Sequence, residues 1–137
     1  MPSKKQSAAK PLEPVFFIDR SLGVEPLRST LVRAGVLVEI HDDHFNRDEQ
    51  DHVWLAEVSA RSWVVLTKDK RLRYRPLEIS LLRESGARVF ILIAGNLRGS
   101  EIAATFEAAL PRIRQILATH SGPFIARVSK HALVTVS

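Results

Sequence analysis

Asp69 stands where ligand chemistry would be expected. It follows the apolar run Trp63-Val64-Val65-Leu66-Thr67 and lies within a cationic stretch, Lys68 to Arg75, in which five of the eight residues are Lys or Arg. The apolar run is short, rich in β-branched residues and bounded by polar ones, which predicts a buried strand ending at Thr67. A carboxylate at the carboxyl end of such a strand sits where open α/β sheets hold their ligands. An acid set among cations suits a divalent metal held beside a polyanion, and so chemistry on phosphate.

Asp19 ends a second buried run, Val15-Phe16-Phe17-Ile18. In a parallel sheet the two strand ends share one rim, so Asp19 and Asp69 can converge although distant in sequence. Asp51 opens a predicted helix, and Asp42, Asp43 and Asp48 lie in a loop expected on the same rim. Clustered carboxylates repel one another unless a cation sits between them. Ligands that are all oxygen favour Mg²⁺ or Mn²⁺ over zinc. Such an ion polarises a phosphodiester and lowers the pKa of a water for in-line attack. No Ser–His or Lys arrangement offers a covalent nucleophile.

Each acid also has a plainer reading. Asp19 and Asp69 taken singly suit Asx-turns at strand ends. Asp48 suits the cap of the helix opened by Asp51, with Asp51 favouring its positive end. Asp42-Asp43 suits a solvated loop. Convergence of several acids beside a cationic segment favours the ligand reading. His41-Asp42-Asp43-His44 has two histidines that could bind zinc, but with only His52 nearby it reads better as a polar, partly buried loop.

Lys68, Lys70, Arg71, Arg73 and Arg75 suit phosphate contacts with little sequence preference, and Tyr74 could stack on a base. A solvated loop is the alternative, and the embedded Asp69 argues against it. Arg112 and Arg114 read as solvent-facing helix residues, and Trp54 and Trp63 as core. Gly95 to Ser100 precedes a helix and could hold a phosphate, but it is no P-loop.

The elements that must position these residues alternate. Strands are predicted at 15–19, 36–40, 63–67 and 88–93, and two short ones at 124–128 and 132–136 form a hairpin. Pro26 starts a helix with Leu27, Leu31 and Ala34 inward, stopped at Gly35. A second carries Val53, Trp54, Leu55 and Val58. A third runs from Pro76 to Glu84, with Leu77, Leu81 and Leu82 inward and Gly86 as its stop. The last is capped by Ser100, buries Ile102, Phe106, Leu110, Ile113 and Leu117, and is kinked or split at Pro111. Apolar strands alternating with helices predict the α/β class, a mostly parallel sheet covered on both faces.

Size and composition agree with one domain. The 137 residues allow a real core, residues 1–13 read as a polar tail, and 14–137 as the domain. No run is apolar and long enough to span a membrane, and the N-terminus lacks an apolar signal core, so export is not expected. The absence of Cys excludes disulfides, thiolate zinc sites and a Cys nucleophile, and fits a cytoplasmic protein. The net charge of +5 favours polyanionic partners, although three of the lysines lie in the first ten residues.

On these residues the chain resembles the PIN-like nucleases, in particular the small proteins related to VapC-type toxins. The resemblance rests on Phe16-Phe17-Ile18-Asp19, on Asp51-His52-Val53-Trp54-Leu55-Ala56-Glu57-Val58 and on Val64-Val65-Leu66-Thr67-Lys68-Asp69-Lys70, and it spans 15–124. It implies one three-layer α/β/α domain, a Mg²⁺ or Mn²⁺ cofactor and hydrolysis of RNA. It places Asp19, Asp51 and Asp69 as metal ligands in the family's order. A further family acid on a helix after the second strand has its nearest counterpart in Asp43. The resemblance also implies an antitoxin partner and a homodimer.

The reading that follows is a metal-dependent endoribonuclease, the toxin of a pair, with Asp19, Asp43, Asp51 and Asp69 catalytic. The alternative is a PIN-like module that grips RNA or protein without cutting. A phosphoacceptor receiver ranks last, because Ile93 leads into Ala94-Gly95-Asn96 where a receiver needs a lysine.

Overall fold

The structure, a computed structural model, describes residues 13–69 and 76–136, and of residues 76–79 the backbone only. Lys70, Arg71, Arg73, Tyr74 and Arg75, the inward side chain expected at Leu77, and all of the N-terminal tail but Glu13 lie outside the described residues.

The chain alternates β1 (Val15–Ile18), α1 (Leu27–Arg33), β2 (Leu37–Ile40), α2 (Asp51–Ala60), β3 (Val64–Thr67), α3 (Pro76–Ser85), β4 (Arg88–Leu92), α4 (Gly99–Thr119), β5 (Phe124–Val128) and β6 (Val134–Val136). Among the described residues the six strands form one sheet in the order β2-β1-β3-β4-β5-β6. All neighbours are parallel except β5 and β6, which form the expected antiparallel pair.

Alternation along the strands divides the core in two. Phe16, Ile18, Val64, Leu66, Phe90, Leu92, Ala126 and Val128 face one side and pack with residues of α1 and α4. Phe17, Val65, Val89 and Ile91 face the other and pack with Trp54, Leu55 and Val58 of α2 and Leu82 of α3. The result is the three-layer α/β/α domain that the resemblance implied. The central strand β3 is buried at every residue, as a parallel strand covered on both faces must be.

Several local expectations are corrected. β2 lies at the sheet edge, so Leu37 is exposed and its neighbours only half-buried. Asp48 does not cap α2: the N-cap is Gln50, with no side-chain hydrogen bond, and Asp51 is the first helical residue. Val53 points to solvent beside buried Trp54 and Leu55. Ser100 lies inside α4, whose N-cap is Arg98, with its backbone N–H donating to Glu101 Oε1 at 2.8 Å. Pro111 neither splits nor ends α4, which runs unbroken for 21 residues. Pro111 itself is exposed, while Ala109, Leu110, Ile113 and Ile116 around it are buried and hold the helix to the sheet. No helix among the described residues is long and apolar enough to cross a membrane.

Candidate active site

Topology places the site. From β1 the chain passes through α1 to β2 on one side, then through α2 to β3 on the other side of β1. The connections leaving β1 and β3 therefore diverge, and a crevice opens outside their carboxyl ends. Asp19 follows β1 and Asp69 follows β3, so the two acids flank this switch point.

Register makes their link direct. Ile18 pairs with Leu66, and the Asp19 N–H donates to the Leu66 carbonyl at 3.0 Å, so Asp19 and Thr67 end level with one another. Asp19 keeps an extended backbone, with φ −70° and ψ 150°, so its side chain continues the Phe17 face of the sheet. Both side chains are buried. The Thr67 hydroxyl donates to Asp19 Oδ2 at 2.7 Å, and Ser21 Oγ donates to the same oxygen at 2.7 Å. The two hydroxyls lie 3.1 Å apart. They also tie down the chain after β3: Ser21 Oγ accepts the Lys68 N–H at 3.1 Å, and Thr67 Oγ1 accepts the Asp69 N–H at 3.0 Å. A buried carboxylate held by two hydroxyls keeps little orientational freedom, and its cost of burial is offset by charge-assisted bonds.

Asp51 reaches the same rim from α2. That helix crosses from β2 back to β3, so its amino end lies at the carboxyl end of the strands. Asp51 Oδ1 accepts the Trp54 indole N–H at 3.0 Å. Trp54 stacks on Phe17 at 5.4 Å between ring centroids, and Phe17 precedes Asp19 by two residues on the same face. Asp51 is thus fixed through an aromatic contact to the strand that carries Asp19. Its place in the first helical turn also suits a negative charge.

Asp43 is exposed, in a tight turn over His41–Asp43 that replaces the start of the expected loop. Its neighbour Asp42 is the engaged residue. Asp42 Oδ1 meets Arg20 Nε at 3.0 Å and His41 Nδ1 at 2.9 Å. The hydrogen bond from His41, helped by the charges of Arg20, His41 and Arg47, holds the Asp42 carboxyl below the usual carboxylate range against an opposing effect of desolvation. His41 is buried against Phe17, Phe45 and Trp54. His44 Nε2 is 2.6 Å from Glu39 Oε1. Each imidazole is thus engaged by its own carboxylate, as a polar and partly buried segment requires.

Among the described residues no group of three or more His, Asp or Glu side chains closes on a common point. The donor set still suits a hard cation. It is all oxygen, and both hydrogen bonds to the Asp19 carboxylate fall on Oδ2, leaving Oδ1 outside them. Of the cations expected beside Asp69, Lys68 is described and half-buried. Two residues escaped the sequence reading. Ser21 is a small hydroxyl two residues past a strand-end acid, a spacing that favours local hydrogen bonding. Arg20 adjoins Asp19, and beyond its pair with Asp42 it donates to the Arg47 carbonyl at 3.3 Å. A cation next to a strand-end acid was the available signal.

A family model described as a PIN like domain matches residues 14–94, a span that includes Asp19, Asp43, Asp51 and Asp69. A protein of Mycobacterium tuberculosis (strain ATCC 25618 / H37Rv) named "Putative ribonuclease VapC45" is 29% identical over 125 residues, which cover 88% of this chain and 90% of that protein. No solved structure matches.

Proposed function

Since this chain belongs to the PIN-like domain family, we propose that it is a metal-dependent endoribonuclease acting as the toxin of a toxin–antitoxin pair. The link from Asp19 through Thr67 to Asp69 at the switch point carries this reading. It sets two acids around the place where an α/β sheet holds its ligand. The similarity to a protein named as a VapC ribonuclease supports RNA as substrate and an antitoxin protein as partner. A homodimer and a cytoplasmic location belong to the same proposal.

Asp19, Asp51 and Asp69 would hold Mg²⁺ or Mn²⁺, with Asp43 assisting, and the bound ion would stabilise charge developing on the phosphodiester. The rest falls to the chain itself. Ser21 and Thr67 hold the Asp19 carboxylate in one orientation. Trp54 does the same for Asp51. Lys68, with Lys70, Arg71, Arg73 and Arg75, would bind backbone phosphates on the β3 side, and Arg20 would add a guanidinium on the β2 side. Such contacts give salt-sensitive affinity with little sequence preference.

The test is cleavage of total RNA by the purified protein under a titration of Mg²⁺ and Mn²⁺. Cleavage should require the ion, stop with chelator and return when the ion is restored. Salt-sensitive RNA binding without turnover at any metal concentration would instead establish the non-cutting module.

A further inference from the structure

Arg127 lies outside the residues that the family model matches. It sits in β5 between Ala126 and Val128, which are fully buried against the α1 and α4 side. Arg127 therefore projects from the opposite face, the face of α2 and α3. That is also the face of Asp19 and Thr67.

Register sets it on their row. Asp19 is level with Thr67, Thr67 pairs with Ile91, and Ile91 pairs with Arg127. With neighbouring strands roughly 4.8 Å apart, the Cα of Arg127 lies on the order of 14 Å from that of Asp19 along the carboxyl edge. An arginine side chain spans much of that interval.

The side chain carries an unusual cost. Arg127 is half-buried, and its Nε is a buried donor with no hydrogen-bond partner. No ion pair to it is formed among the described residues. A buried, uncompensated donor on a charged group is destabilising. Local costs of this kind concentrate where a ligand supplies what the fold does not.

We propose that Arg127 binds a backbone phosphate of the RNA strand, flanking the scissile bond on the β5 side of the rim. This rests on the nuclease reading and gives the substrate a path. The strand would cross the carboxyl edge of the sheet from Arg20 beside β2, past Asp19 and Lys68, to Arg127 on β5. A phosphate suits the guanidinium because it offers several strong acceptors to a planar fork of donors. The contact is one of affinity, not of the bond-breaking step.

The experiment measures binding of a single-stranded RNA by fluorescence anisotropy in chelator, across a range of salt, and cleavage separately with Mn²⁺. Wild type is compared with Arg127→Met and Arg127→Lys. Arg127→Met should weaken binding by roughly tenfold, as loss of a charge-assisted bond does. It should also reduce the dependence of log K on log salt by about 0.7, the share of one single-strand phosphate. KM should rise with kcat unchanged, and Arg127→Lys should recover part of the affinity. Thermal stability of Arg127→Met should equal or exceed wild type, since a buried unpaired donor is removed. Wild-type affinity and salt slope in Arg127→Met would overturn the assignment while leaving the nuclease reading intact. A wild-type protein that neither binds nor cleaves RNA would overturn both.

Discussion

Asp19 and Thr67 end adjacent parallel strands level with one another, and the threonine hydroxyl donates to the aspartate Oδ2 at 2.7 Å. The same hydroxyl accepts the backbone N–H of Asp69 at 3.0 Å. One buried side chain thus orients one acid and sets the start of the loop that carries another. The site depends on a register match between β1 and β3 as much as on the acids themselves.

Thr67→Val keeps shape and removes the hydroxyl. It should destabilise the fold by about 1–3 kcal/mol, because a buried carboxylate loses a donor and the Asp69 N–H loses its acceptor. RNA cleavage should fall with it, while Thr67→Ser should retain both stability and activity. Urea unfolding and cleavage assays on the two variants check this. Equal stability of wild type and Thr67→Val would show that the hydroxyl is not holding the acids.

Trp54→Phe removes the indole N–H that reaches Asp51 while keeping a ring against Phe17. The lost bond and lost volume should cost on the order of 2 kcal/mol. With Asp51 no longer held, kcat should fall more than KM rises. An unchanged kcat in a folded variant would remove Asp51 from the catalytic set.

Asp42 should titrate below its ordinary value of 3.8, held there first by the His41 hydrogen bond and then by Arg20. A carboxyl whose folded pKa lies below its unfolded one contributes stability above the unfolded value. That contribution is lost as pH falls through the folded value, here below about pH 4. An NMR titration of the Asp42 carboxyl should give the depressed midpoint, and Arg20→Gln should raise it. An identical midpoint in Arg20→Gln would mean that the 3.0 Å pair does not persist in solution.

Pro111 breaks no helix, yet it leaves the Glu107 carbonyl without its usual N–H donor within α4. Pro111→Ala should restore that bond. After allowance for the added unfolded-state freedom, it should raise stability by about 1–2 kcal/mol. Denaturant unfolding checks it, and a lower midpoint would mean that Pro111 itself packs favourably.

The legible parts of the sequence were those where one pattern dominated. Val64 to Thr67 is apolar at every position because the strand is buried on both faces, and Asp69 beyond it could be placed on the rim from that alone. Trp54, Leu55 and Val58 read as core and are core. Competition between local and tertiary effects hid the rest. Asp48 has the chemistry of a cap, but α2 begins later, where Trp54 meets Phe17. Pro111 is a helix breaker locally and is outweighed by the buried stripe around it. Ser21 and Thr67 could not be joined from sequence, because their contact depends on the register of two strands far apart in the chain. Arg20 offered only its position next to Asp19, and Arg127 carried no signal beyond its charge until the sheet order gave it a place along the rim.

The most direct measurement compares Mn²⁺-dependent RNA cleavage by wild type, Asp19→Asn and Asp69→Asn, each shown folded by circular dichroism. Cleavage by wild type alone is expected, with both variants at background. Undiminished cleavage by the two folded variants would contradict this expectation.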